Sequence, residues 1–163
     1  MTKASLRYIV LTSLLAALCA VGGFIKIPVF TVSAALDSAP ALLAAFVVPP
    51  IYAGFAGALG HMATAMSSGM PFGSFHIIIA FEMLAIVWIF ALLHKKGFDK
   101  LKWAWMLVAN GLIAALPFYF LISPAFYIGA MPGLLLATAI NIAVAIACAP
   151  LLQRVKKMVK WEG

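Results

Sequence analysis

The stretch FHIIIAFEML, residues 75–84, sets His76 and Glu82 inside an otherwise apolar run. They come from a short inventory. The chain holds four carboxylates, Asp37, Glu82, Asp99 and Glu162, and three histidines, His61, His76 and His94. A histidine beside a glutamate is raw material for metal-assisted hydrolysis or acid–base work, but the spacing serves neither. Six residues turn a helix so that His76 and Glu82 stand ~120° apart, on different faces, and no H-E-x-x-H occurs. Neither G-x-S-x-G, a phosphate-binding glycine loop nor a paired acidic motif is present. Cys19 and Cys148, both inside apolar runs, are too few for a disulfide framework or a metal site. The reading is of a protein that is not an enzyme, with no catalytic residues, no metal and no cofactor. The isolated polar groups are left to bind something or to tie helices together.

The elements that hold them follow from composition. Hydrophobic residues make up 66% of the 163-residue chain and charged residues 9%, with a mean hydropathy of +1.16. A soluble domain is roughly half apolar and about one quarter charged, so this chain is read as an all-α integral membrane protein. Its apolar runs are continuous and lack the alternation of barrel strands. Six transmembrane helices are expected in one domain, residues 1–163: Leu6–Phe24, Ala35–Val48, Ile51–Met66, Ser74–Leu93, Trp103–Ile122 and Pro132–Leu152. The second is short for a lone span, which needs ~20 residues. Pro49 and Pro50 end it, because proline lacks the backbone donor and restricts the residue before it.

Charge sets the orientation. With both termini in the cytoplasm, that side holds Lys3, Arg7, Lys95, Lys96, Lys100, Lys102, Arg154, Lys156, Lys157 and Lys160, and the outer side only Lys26. Such asymmetry is the positive-inside signal. It accounts for the net charge of +7 without a nucleic-acid partner. The basic tail QRVKKMVKW is expected to meet anionic headgroups, with Trp161 at the interface. The basic start and first apolar run are read as a retained span, not a leader, since five more spans follow. The expected location is the bacterial cytoplasmic membrane, crossed several times.

Glu82 falls about eight residues into the fourth span, ~12 Å deep at the helical rise. Asn110 and Asn141 lie at similar depth, and Asp37, His61 and His76 lie toward the outer face. Ionisable groups at such depth cost a few kcal/mol unless they face protein or water. One outward-opening polar cavity would serve them all. Other roles stay open: interhelical hydrogen bonds for Asn110 and Asn141, a helix cap for Asp37, packing for the histidines. A small autonomous proton-coupled carrier working through Glu82 and the histidines is the rival transport reading.

The chain resembles the substrate-binding S-components of energy-coupling-factor (ECF) vitamin transporters. One motif is LLAALCAVGG in the first span, where Ala16 and Ala20 form a small-x-x-x-small patch. The larger one is VSAALDSAPALLAAFVVPPIYAGFAGALGHMATAMSSGMPFGSFH, which is most like the S-component for α-ribazole, a cobalamin precursor. Residues 5–94 carry the likeness best. The resemblance implies tight capture of a small vitamin or vitamin precursor from outside. It implies as partners an ECF transmembrane scaffold subunit and two ATPase subunits, with Ala16 and Ala20 as the scaffold contact. The ALDSAP, GHMATAMSSG and PFGSFH segments would surround the pocket. A nucleoside-like ligand would want an aromatic slot, for which Phe72, Phe75, Tyr119, Phe126 and Tyr127 are candidates. Its hydroxyls would want Asp37, His61, His76, Glu82 or Asn141. Riboflavin, thiamine and pantothenate stand as alternative cargoes.

Overall fold

The computed structural model describes residues 3–29 and 32–158. Helix α1 runs Lys3–Phe24. An antiparallel hairpin follows, β1 Lys26–Val29 and β2 Val32–Ala35, with Lys26 opposite Ala35. Then come α2, Ala39–Ala44, α3, Pro50–Ser67, and α4, Phe75–Lys95. The next stretch is broken into α5, Asp99–Val108, a π-helical turn, Ala109–Ile113, and α6, Leu116–Leu121. Helix α7, Pro124–Met158, closes the bundle. Lys160, Trp161 and Glu162 lie outside the described residues, and with them the interfacial role expected of Trp161.

Among the described residues, four helical stretches are long and apolar enough to cross a membrane: Ser5–Phe24, Phe75–Lys95, Asp99–Leu121 and Pro124–Arg154. The chain is a multi-pass, helical membrane protein. Helix α3 has 18 residues, but three glycines, His61 and Thr64 lower its apolarity, and it lies between α1 and α4. The expected second span is a helix of only six residues. Pro40 lies in its first turn, the segment 45–48 turns, and Pro49–Pro50 open α3. Helix α7 begins at Pro124, not Pro132. Ser123 Oγ accepts the N–H of Phe126 at 3.1 Å, and proline suits a first helical position. Pro132 and Pro150 then sit inside the helix, as membrane helices tolerate when neighbours satisfy the freed carbonyls.

In the α1–α3–α4 layer, glycines of α3 are seated directly against short side chains of α1 and α4. A Cβ at Gly57 would lie 2.8 Å from Val87 Cγ2, and one at Gly60 would lie 2.5 Å from Cys19 Cβ. At the end of α1, a Cβ at Gly22 would overlap the carbonyl oxygen of Leu36. That closeness lets the Leu36 N–H reach Gly22 O at 3.2 Å, so the chain leaving the hairpin lies directly on α1. At the opposite end Lys102, expected in a charged loop, is 3% exposed. Its Nζ donates to Asp99 Oδ1 and, at 2.9 Å, to His94 Nδ1. It stands 5.2 Å from the Phe46 ring centre, which fastens the α4–α5 turn to the segment after α2.

Overpacking a rigid backbone contact costs about 1–3 kcal/mol. Gly22→Ala should therefore lower the melting temperature of the purified chain, read by heating and size-exclusion chromatography. Gly129→Ala, where a Cβ meets nothing within 4 Å, should not. Equal melting temperatures would contradict the seat of Leu36 on Gly22.

Candidate functional site

The apolar layers enclose a cavity of about 390 Å³ at the hairpin end of the bundle, within the range of small-molecule sites. Residues from β2, α2, α3, α4, the π-helical turn, α6 and α7 meet there. Most of the wall is apolar, with Ala41, Gly57, Ile79, Met83 and Leu134 among its members. The polar groups are few: Asp37, Ser38, His61, His76, Asn110, Thr138 and Asn141.

Asn141 is 2% exposed. Its Oδ1 accepts the N–H of Ser38 at 3.1 Å and of Ala39 at 2.8 Å. Its Nδ2 donates to Ala35 O at 2.7 Å and Ala137 O at 2.9 Å. An amide side chain offers two acceptor positions and two hydrogens, and all four are occupied by the chain itself. Ser38 makes no side-chain cap at the start of α2, so Asn141 supplies the cap from α7. It lines the cavity as a fastener and leaves the ligand no free position.

Two imidazoles stand together on the wall. His61 Nε2 and His76 Nδ1 are 3.1 Å apart, and the N–H of Phe72 donates to His76 Nε2 at 3.3 Å. The α3–α4 loop aims that N–H. Gly69, Met70 and Gly73 all have positive φ, and Met70 N bonds back to Ala65 O at 2.8 Å. Asn110 sits on the π-helical turn, a feature frequent at functional sites. Its Nδ2 donates to Thr138 Oγ1 at 2.8 Å, and Thr138 donates in turn to Leu134 O at 2.7 Å. The Asn110 carbonyl oxygen has no partner among the described residues. Asp37 Oδ1 accepts from Ser38 Oγ at 3.3 Å. Rings supply the mouth: Phe72 packs edge-on against Phe126 at 5.7 Å and tilted against Phe118 at 6.4 Å.

Of the residues expected to bind substrate, Asp37, His61, Phe72, His76 and Asn141 line this cavity. Phe75 stands behind it, edge-on to Phe118 at 5.8 Å. Tyr127 turns its hydroxyl to Leu112 O at 3.4 Å. Glu82 lies off the cavity on α4, and its Oε2 is buried with no hydrogen-bond partner among the described residues. The sequence reading gave no weight to Phe118 or Thr138, and had Ser38 only as part of the ALDSAP segment. Phe118 follows Pro117 in a broken helix, so no periodicity marked its face. On α1, Ala16 is 7% exposed and faces Gly60 of α3. Ala20 is half-exposed, and Ser13 and Ala17 are exposed.

No group of three or more histidine, cysteine or acidic side chains able to hold a metal occurs among the described residues. Comparison with protein families matches residues 7–153 to one described as ECF transporter, substrate-specific component. Comparison with curated proteins and with solved structures finds no match.

Asn141→Leu would strand the N–H groups of Ser38 and Ala39 and take a side-chain donor from Ala35 O, at about 1–3 kcal/mol for each buried group left unpaired. The variant should lose most of its folded yield, or melt well below the wild type, with no ligand present. An unchanged melting temperature would remove Asn141 as the fastener of α2.

Proposed function

The chain belongs to the substrate-specific components of ECF transporters, and on that premise we propose that it captures α-ribazole from outside the bacterial cytoplasmic membrane. As a member of that family it is a transport subunit. It takes a small-molecule substrate and works with an ECF scaffold and ATPases. The cargo, the orientation and the contact surfaces are our reading.

The observation that carries the cargo is the cavity wall. A slot of Phe72, Phe118 and Phe126 suits a flat aromatic base. The polar groups at Asp37, His61 and Asn110 suit a ring nitrogen and sugar hydroxyls. Thiamine, a cation that would sit beside Asp37, is the second reading. The autonomous proton-coupled carrier is disfavoured, because the Glu82 it relies on lies off the cavity.

The orientation puts the cavity outside and the basic turn around Lys95–Lys102 in the cytoplasm, with both termini there. In that reading six segments are embedded, the second being the short α2. Capture is followed by docking on the scaffold, and the bundle topples so that its cavity reaches the cytoplasmic side. ATP hydrolysis belongs to the partner subunits. The docking face we assign is the stripe Ser13, Ala17 and Ala20. These positions fall on one side of α1, with Ala16 at its inner edge. Small side chains there allow close helix approach.

Calorimetric titration of the detergent-purified chain should give tight binding of α-ribazole and far weaker binding of riboflavin and pantothenate. Selective binding of either of those two would end the α-ribazole assignment. Uptake in cells should require coexpressed scaffold and ATPases. Ala17→Trp should abolish that uptake with α-ribazole affinity unchanged. Normal uptake by this variant would move the docking face elsewhere.

A further inference from the structure

The two cavity histidines are not interchangeable, and their hydrogen bonds settle which protons they carry. A neutral imidazole has one N–H and one acceptor nitrogen. The backbone N–H of Phe72 points at His76 Nε2, so that nitrogen is the acceptor and the proton of His76 is on Nδ1. His76 Nδ1–H then donates to His61 Nε2, 3.1 Å away. His61 Nε2 is therefore an acceptor too, and its proton is on Nδ1. Charging either ring would set two N–H groups against each other, at Phe72 or between the rings. Both are neutral in this arrangement. His61 Nδ1 has no partner among the described residues, and His61 lines the cavity. His76 is 4% exposed and acts through His61.

The rest of the wall limits what that donor can meet. Among the described residues no lysine or arginine lines the cavity, and Asp37 is its one carboxylate. Asn141 and Thr138 already use their hydrogens within the chain. An anionic ligand would be desolvated against apolar walls without a cation to pair with it, which is costly.

We propose that Phe72 N–H, His76 and His61 form a relay that fixes His61 Nδ1–H as a hydrogen-bond donor to the ligand, and that the cavity selects an aromatic ligand carrying no phosphate or carboxylate. This deepens the capture reading above and rests on it for the ligand, but not for the relay. The acceptor is an unprotonated ring nitrogen or a carbonyl of the ligand. Ligand hydroxyls donate to Asp37. His76 is a positioning residue, and His61 is the one that touches ligand.

The relay is tested without ligand, by ¹⁵N NMR of the full chain labelled at histidine. With three histidines, the relay requires two protonated at Nδ1. The third, His94, must be protonated at Nε2, because its Nδ1 accepts from Lys102. His61→Asn and His76→Leu assign the signals. In His76→Leu, the His61 resonances should lose their single Nδ1–H signature. Nε2–H on His61 in the wild type overturns the relay, whatever binds.

Ligand selection is tested by titrating matched pairs: α-ribazole and its 5′-phosphate, thiamine and its phosphate, riboflavin and its phosphate. Whichever parent binds, its phosphate should bind about 100-fold or more weakly, and equal affinities overturn the selection. Binding by thiamine rather than α-ribazole ends the cargo assignment and still reads the discrimination. His61→Leu should weaken the parent about 10- to 100-fold, as expected for losing one buried hydrogen bond. His61→Asn, whose amide nitrogen reaches where Nδ1 stood, should recover most of that. No difference between the two variants overturns the donor role.

Discussion

A helix of six residues inside a lipid-embedded bundle has more orphan backbone groups than internal hydrogen bonds. Lipid offers those groups nothing. Helix α2 is such a segment, and its Ala39, Ala41, Leu42 and Ala44 are at most 2% exposed. It survives because Asn141, about a hundred residues further along the chain, accepts from its first turn. The same amide donates to the strand before it and to its own helix. The cavity depends on that fastening. Without it the N–H groups of Ser38 and Ala39 would lose their partner, and the amide that ties Ala35 to α7 would be gone.

Around that fixed point the chain builds a site with little polarity and much shape. Rings at the mouth, alanines and glycines along the wall and one histidine pair leave a small number of directions for a hydrogen bond. Burial of flat apolar surface supplies affinity that is indifferent to detail. The few polar positions must therefore supply the discrimination, since a buried polar group left unpaired is penalised more than a made bond is rewarded. Such a division suits a substrate-specific transport subunit, which must hold its small molecule.

Much of this was legible in the sequence. Continuous apolar runs gave the membrane class, and α1, α3 and α4 begin and end within three residues of expectation. Asp37, His61, His76 and Asn141 were singled out because polar side chains at membrane depth demand a reason, and all four meet the cavity. Glu82 raised the same demand and stands off the cavity. Depth along a helix was readable, but the direction each helix turns depends on packing against neighbours. The same limit placed Ala16 on an outer face, although Gly60 makes room for it inside. The π-helical turn and the early start of α7 rest on bulge geometry and on a serine cap, neither of which leaves a periodic trace. The role of Asn141 was open in the sequence because its partners are backbone groups, which have no letters.

The glycine contacts of α1, α3 and α4 also decide how the cavity responds to load. On that side glycines meet main chain or short side chains such as Cys19, Thr64 and Val87, which have few rotamers to exchange. The layer behaves as a plate. On the facing side the chain between Asp99 and Leu121 is interrupted by a π-helical turn and by Pro117, and α7 carries Pro132 beside the cavity. Interrupted ladders bend more easily than continuous ones. Mechanical compliance is thus concentrated in one wall, and a molecule that enters or leaves deforms that wall while the plate keeps its form.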